Sequence, residues 1–219
     1  MGIDFSDLIF KIIFPELLRT LQMVFLTTIY ATILGFILAI ILIVVCKDGL
    51  KSNKYIYGVL DTLINIIRSF PFIILMVTII PFTRFIVGTS IGEKAAVVPL
   101  TITAAPYIAR IIESSLKEVD KNLIEVAKSF GASNFQIIFR IMISEGLPSI
   151  IAGITLATIS ILGASAVAGT VGAGGLGAIA ITYGYQNFDE TIMYGTVCVI
   201  IVLVQIIQSL GGFLYNKLK

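Results

Sequence analysis

Long stretches without a charged residue alternate along this chain with short charged ones, and the lengths of the uncharged stretches are the first guide to its fold. A helix rises about 1.5 Å per residue, so about 20 residues cross a hydrocarbon layer about 30 Å thick. Five stretches approach or exceed that length: from about Leu17 to Val45, Tyr57 to Thr83, Ala95 to Ile112, Pro148 to Ala168 and Thr191 to Phe213. The pattern predicts an all-α integral membrane protein with five transmembrane helices. The first and last are the clearest, whereas Asp61 and Arg68 enter the second, and Pro71, Pro81, Pro99 and Pro106 interrupt the second and third. Helices so interrupted are expected inside the bundle, where neighbours satisfy the freed carbonyls. Arg68 is expected to reach toward the near surface or a wet cavity, because an unpaired charge at mid-bilayer costs at least about 2.5–3.5 kcal/mol.

No charge occurs from Gly146 to Phe188, a length sufficient for two spans, but Gly163, Gly169, Gly172, Gly174, Gly175, Gly177 and Gly184 crowd its second half. Each glycine costs a helix about 1 kcal/mol against alanine. A single span followed by a glycine-rich segment, re-entrant or turned back on itself, is therefore expected.

Composition agrees with a bilayer environment: 58% of the 219 residues are hydrophobic and 13% charged, against roughly 45–50% and 25% in soluble domains. A net charge of +2 with no arginine-rich stripe excludes a nucleic-acid partner. The absence of histidine and the isolation of Cys46 and Cys198 remove the common zinc patterns and most acid–base catalysis. The two cysteines read as small hydrophobes. Asp4 and Asp7 stand where a secretory leader carries positive charge, so the N-terminus is expected to be retained. Met1-Gly2 with Ser6 matches a myristoylation pattern that a spanning chain has little use for.

Orientation follows from lysine and arginine in the connections. Lys47, Lys51, Lys54, Arg110, Lys117, Lys121, Lys128, Arg140, Lys217 and Lys219 lie on one side and Lys11, Arg19, Arg84 and Lys94 on the other. Ten against four places the N-terminus outside and the C-terminus in the cytoplasm. The organisation expected is a short external segment (1–16), a membrane domain (17–213) and a cytoplasmic tail (214–219), with a charged cytoplasmic loop at 113–147.

That loop is patterned. Leu123, Val126, Ala127 and Phe130 form an apolar stripe at helical spacing, Asn122 with Glu125 has the form of a capping box, and Gly131 supplies a left-handed stop. Ala132 follows, then a second capping box of Ser133 with Gln136 and a second stripe of Phe135, Ile138, Phe139 and Met142. Two short amphipathic helices meeting at a glycine are predicted. Acidic residues balance basic ones here, which favours a protein partner over an anionic lipid surface.

The run Glu125-Val126-Ala127-Lys128-Ser129-Phe130-Gly131, with Ile141 ten residues after the glycine, resembles the EAA loop of ABC importer permeases. Val126 stands where the family has a second alanine, and Ile143-Ser144 where it has Leu-Pro; a displaced Leu147-Pro148 looks like the methionine-importer branch. Arg68-Ser69-Phe70-Pro71-Phe72, Pro81-Phe82-Thr83-Arg84, Val171 to Gly177 and Tyr183-Gly184-Tyr185 extend the resemblance over most of the chain. It implies a loop, including Asn122, Glu125, Val126, Ala127, Gly131, Ala132, Ser133 and Phe135, that seats in a cytoplasmic ATPase. It also implies a second copy of this chain completing the pathway, a dimer of ATP-binding subunits that carry the ATP and magnesium, and an extracytoplasmic binding protein delivering methionine at a bacterial cell membrane. Arg68, Gly172, Gly174, Tyr183 and Tyr185 are candidates for the pathway or its gate. The glycines equally suit a tight external turn, and the tyrosines suit interfacial anchoring.

Gly172, Gly174 and Gly177 also satisfy the dinucleotide fingerprint G-x-G-x-x-G, but no strand precedes them and Asp189 and Glu190 come too early for the ribose acid. The chain has no phosphate-binding loop, so no cofactor of its own is expected. The alternatives are a permease for another amino acid or small polar solute, or an ion-coupled secondary transporter, for which Asp61 is the one acid available within a span. A membrane enzyme lacks any paired nucleophile and base.

Overall fold

Every element in residues 8–47 and 49–219, which the computed structural model describes, is helical. The readings made from Asp4, Asp7 and the Met1-Gly2-Ser6 pattern lie outside the described residues. A π-helical turn, Leu8–Ile13, leads into α1, Phe14–Val45, with Pro15 in the first turn where its missing N–H has no partner to lose. α1 holds leucine, isoleucine and alanine on all sides, as a helix in lipid does.

The second expected span, Tyr57 to Thr83, is not one helix. α2, Lys54–Ser69, is capped by Asn53, whose Oδ1 accepts from the amides of Tyr55 and Ile56 at 3.1 Å. It ends at Phe70, which is extended because it precedes Pro71. α3, Phe72–Thr78, leaves at 103° to α2. α4, Ile80–Val87, starts with Pro81 in its first turn and stops at the left-handed Gly88. Pro71 and Pro81 thus begin helices instead of kinking one.

α5, Glu93–Lys117, contains Pro99 and Pro106 and is the centre of the molecule; Ile108, Ile112 and Leu116 are fully buried. α6, Lys121–Ser129, and the turn Asn134–Gln136 follow. A π-helical turn, Ile137–Met142, leads into α7, Ile143–Ala168. A π-helical turn, Gly169–Ala173, then precedes α8, Leu176–Ile179, and another, Ala180–Gln186, follows it. The charge-free stretch from Gly146 thus holds one long helix followed by a glycine-rich segment of short helical turns. α9, Glu190–Leu218, is capped by Asp189.

Four helical runs among the described residues are long and apolar enough to cross a membrane: Lys11–Val45, Glu93–Lys117, Asn134–Ala173 and Glu190–Leu218. The bent pair α2 and α3 makes a fifth if it counts as one span. α1 packs on α5 most extensively, at a distance set by glycine: a Cβ on Gly35 would stand 2.9 Å from the Ala105 carbonyl oxygen. α7 packs on another face of α5, and α9 lies outside α7.

Of the helices in the two proline-interrupted stretches, α5 is buried within the single copy, whereas α2 to α4 leave much of their surface exposed. In a single copy, Ile64 is the one buried side chain of α2. Its apolar residues Val59, Leu63 and Ile66 are exposed. Polar Tyr57 and Asp61 face α5 through hydrogen bonds, which turns the apolar side of α2 outward.

Candidate functional site

One end of the bundle carries the helical loop. α6 begins at Lys121, and its cap is Asp120, whose Oδ1 accepts from the Asn122 amide at 2.9 Å. The expected capping box of Asn122 and Glu125 is not formed: a carboxylate two residues earlier reaches the free amide, leaving Asn122 as the second helical residue. Glu125 is exposed, and its carbonyl accepts from the Ser129 hydroxyl at 3.0 Å.

The far end of α6 closes as a Schellman motif. The Ala132 amide donates to the Ala127 carbonyl at 3.0 Å and the Gly131 amide to the Lys128 carbonyl at 2.9 Å, with Gly131 at φ +76°. Ala127 and Ala132, the hydrogen-bonded pair, also pack together against the core. The second capping box is present in both directions: Gln136 N–H donates to Ser133 Oγ at 3.3 Å and Ser133 N–H to Gln136 Oε1 at 2.8 Å.

Each predicted stripe divides. Ala127 turns inward with Ile124, while Leu123, Val126 and Phe130 face outward, Phe130 being 86% exposed. Ile138 and Met142 turn inward with Ile137, while Phe135, 68% exposed, stacks on Phe139 with ring centroids 4.4 Å apart. Anchored from beneath, the two helices hold out Leu123, Val126, Phe130 and Phe135 on their exposed side. Exposed apolar surface of this kind is characteristic of sites that meet a protein partner or a membrane.

Above this loop, five side chains join α2 to α5. The Glu113 carboxylate, 2% exposed, accepts from Arg110 at 2.7 Å, Lys117 at 2.6 Å and the Tyr57 hydroxyl at 3.0 Å. Arg110 also pairs with Asp61, which accepts from Asn65 at 3.1 Å. The Lys117 ammonium lies 5.5 Å from the Tyr57 ring centroid. Asp61 is therefore committed to an arginine, unlike the free acid an ion-coupled carrier needs.

The opposite end carries the glycine turn. Gly172, Gly174 and Gly175 have φ of +97°, +77° and +86°, a region L side chains rarely adopt. The Gly92 amide donates to the Gly172 carbonyl at 2.9 Å, the Gly175 amide to Glu16 Oε2 at 2.5 Å, and the Leu176 amide to Thr20 Oγ1 at 2.9 Å. Arg19 pairs with the other oxygen of Glu16 at 2.5 Å. The turn is thereby tied to α1 and to the start of α5. Its glycines join two helical segments, not the strand and helix of a dinucleotide site.

The candidate pathway residues fall in three places. Gly172 and Gly174 are in this turn; Tyr183 and Tyr185 are exposed on the π-helical turn after α8; Arg68 is in the last turn of α2, lining a cavity with Tyr107. Among the described residues, no group of three or more histidine, cysteine, aspartate or glutamate side chains is placed to hold a metal.

Residues 39–219 match the family of binding-protein-dependent transport system inner membrane components. The chain belongs to this family. Several similar proteins are methionine permeases. A probable D-methionine transport system permease protein of Vibrio cholerae is 48% identical over 91% of this chain and 88% of its own length. The methionine import system permease protein of Bacillus subtilis is 42% identical over 80% of this chain and 79% of its own. A solved methionine ABC transporter in an inward-facing conformation superposes with a TM-score of 0.95 at 37% identity, covering 99% of this chain and 100% of that one. This chain is thus a non-catalytic, multi-span permease component of a bacterial inner membrane.

Sequence reasoning missed two features of this permease, the carboxylate of Glu16 under the glycine turn and the Glu113 network. Glu16 reads locally as an acid in the first turn of a helix, and its partner Gly175 is far along the chain. Glu113 and Lys117 do sit at i, i+4 on one helix. Tyr57 and Asp61 show the same spacing, a legible sign that the two helices pair through polar faces.

Proposed function

We propose that this permease, with a second copy of itself, forms the route by which methionine, as the D or L isomer, enters the cell. Transport is driven by two cytoplasmic ATPase subunits that hold the ATP and magnesium, and the amino acid is delivered by an extracytoplasmic binding protein. The observation that carries this reading is the exposed apolar surface around the Schellman turn at Gly131, held rigid by caps on both sides. A firm helix pair with an unpartnered face suits a part that must transmit motion. Its position below the Glu113 network supports transmission through α5 to α2 and α3.

The orientation proposed is N-terminus outside and C-terminus inside, with five crossings counting α2 and α3 as one. It rests on the ten-to-four excess of lysine and arginine at the loop side. The glycine turn, pinned by Glu16 and Thr20, then belongs to the external gate, with Tyr183 and Tyr185 at the same surface. The exposed apolar faces of α2 to α4 supply contact for the second copy. The similarity to methionine systems over nearly the full chain supports methionine as the cargo.

The test is ATP hydrolysis by the assembled complex in lipid. Methionine with its binding protein is expected to raise the rate severalfold above that with the empty binding protein. Equal rates with and without methionine would remove the assignment.

A further inference from the structure

We infer that Arg68 is the carboxylate-binding group of a methionine subsite inside the membrane domain, completed by the hydroxyls of Tyr107 and Ser160. This inference rests on the transport reading above and deepens it.

Arg68, Tyr107 and Ser160 come from α2, α5 and α7, and all three line one cavity of about 280 Å³, near the roughly 300 Å³ at which small-molecule sites begin. Tyr107 falls in the middle third of α5 and Ser160 well inside α7, and Arg68 joins them from the last turn of α2. Around these polar groups stand Leu100, Ile161 and three alanines.

The polar groups are uncommitted. Among the described residues, Arg110 and Lys117 have acidic partners on the protein, whereas Arg68 has neither an ion pair nor a hydrogen bond, and no aspartate or glutamate lines its cavity. The hydroxyls of Tyr107 and Ser160 are likewise without partners, in contrast to Thr103 beside them, which donates to the Pro99 carbonyl. An arginine at the C-terminal turn of a helix is favoured by the helix dipole, and that alone would account for its presence. It would not account for the convergence of this arginine with two hydroxyls from two other helices on one cavity.

The chemistry selects the ligand. A guanidinium without an acidic partner binds a carboxylate through paired N–H donors. Two neutral hydroxyls accept from an ammonium without the permanent charge of an aspartate, so the whole binds a zwitterion and can release it. Small alanines leave room for an unbranched side chain, and the Tyr107 ring offers a thioether a favourable contact. A zwitterion with an apolar, sulfur-bearing tail fits each of these features.

The experiment measures equilibrium binding to the permease–ATPase complex in nanodiscs without the binding protein, by saturation-transfer NMR with methionine and with methionine methyl ester. The intact complex is expected to bind methionine at least about tenfold more tightly than the ester, the ratio expected from a charge-assisted hydrogen bond. Arg68→Gln is expected to weaken methionine about tenfold and leave the ester unchanged, and Arg68→Lys to restore part of the preference. Equal loss for both ligands would show a structural role and overturn the inference, as would an Arg68→Gln complex that keeps the preference, or no binding to the intact complex. Uptake of methionine by the unaltered complex, with ATP and the binding protein, is measured in parallel. Uptake with no effect of Arg68→Gln on binding defeats the subsite alone, whereas absence of uptake defeats the transport reading and the subsite with it.

Discussion

Gly131 shows how much one residue can decide. Its φ of +76° lets α6 end in a Schellman turn, and a Cβ there would meet no other atom within 4 Å. The obstacle to substitution is backbone strain and not crowding. Gly131→Val should therefore cost about 1–3 kcal/mol locally. The expected outcome is weaker recovery of the ATPase in co-purification, with the bundle still folded; undiminished recovery would contradict the role given to this turn. Glu113 is the converse case, a buried carboxylate with three donors. Glu113→Ala leaves Arg110 and Lys117 without that partner and should destabilise the permease by about 3–5 kcal/mol. Thermal unfolding in detergent reads this, with Glu113→Gln falling between the alanine variant and the parent.

At the scale of elements, the loop was legible because its signals are local. A stripe at helical spacing, a glycine stop and a serine–glutamine box each sit within a few residues of what they control, and the structure has all three. The first cap was misplaced by two residues because aspartate, asparagine and glutamate all stand near the start of α6, and sequence does not say which oxygen arrives first. The stripes were legible as apolar but not as divided: Ala127 and Val126 look alike in a pattern, and only the core decides which is covered. That division makes a specific expectation. Phe130→Ala and Phe135→Ala, both on the exposed side, should reduce ATPase recovery while leaving the unfolding temperature within about 2 °C of the parent, since surface substitutions rarely exceed about 0.5 kcal/mol. A drop in stability equal to that of a core truncation would place these rings in the fold and not at an interface. In the hydropathy pattern Pro71 is an interruption within one span. Phe70 is extended as any residue before proline prefers to be, and that local rule turned a span into two helices at 103°.

For the whole molecule, hydropathy located the long helices because about 20 apolar residues leave few other options. It could not show that α5 is central, that α2 presents its apolar side outward, or that Glu16 reaches Gly175, since these depend on contacts between distant parts of the chain. The same limit applies to the cavity at Arg68, whose three polar groups come from three helices. What emerges is a bundle with an exposed apolar surface at one end, a pinned glycine turn at the other, and a charge network joining α2 to α5. This permease makes sense as a part moved by a motor. Uptake into liposomes tests that most directly, with the permease, its ATPase and the binding protein reconstituted together and radiolabelled methionine outside. Accumulation that requires ATP and both partners, and that an ion gradient cannot replace, is the result expected. Accumulation by the permease alone under an ion gradient would contradict the account.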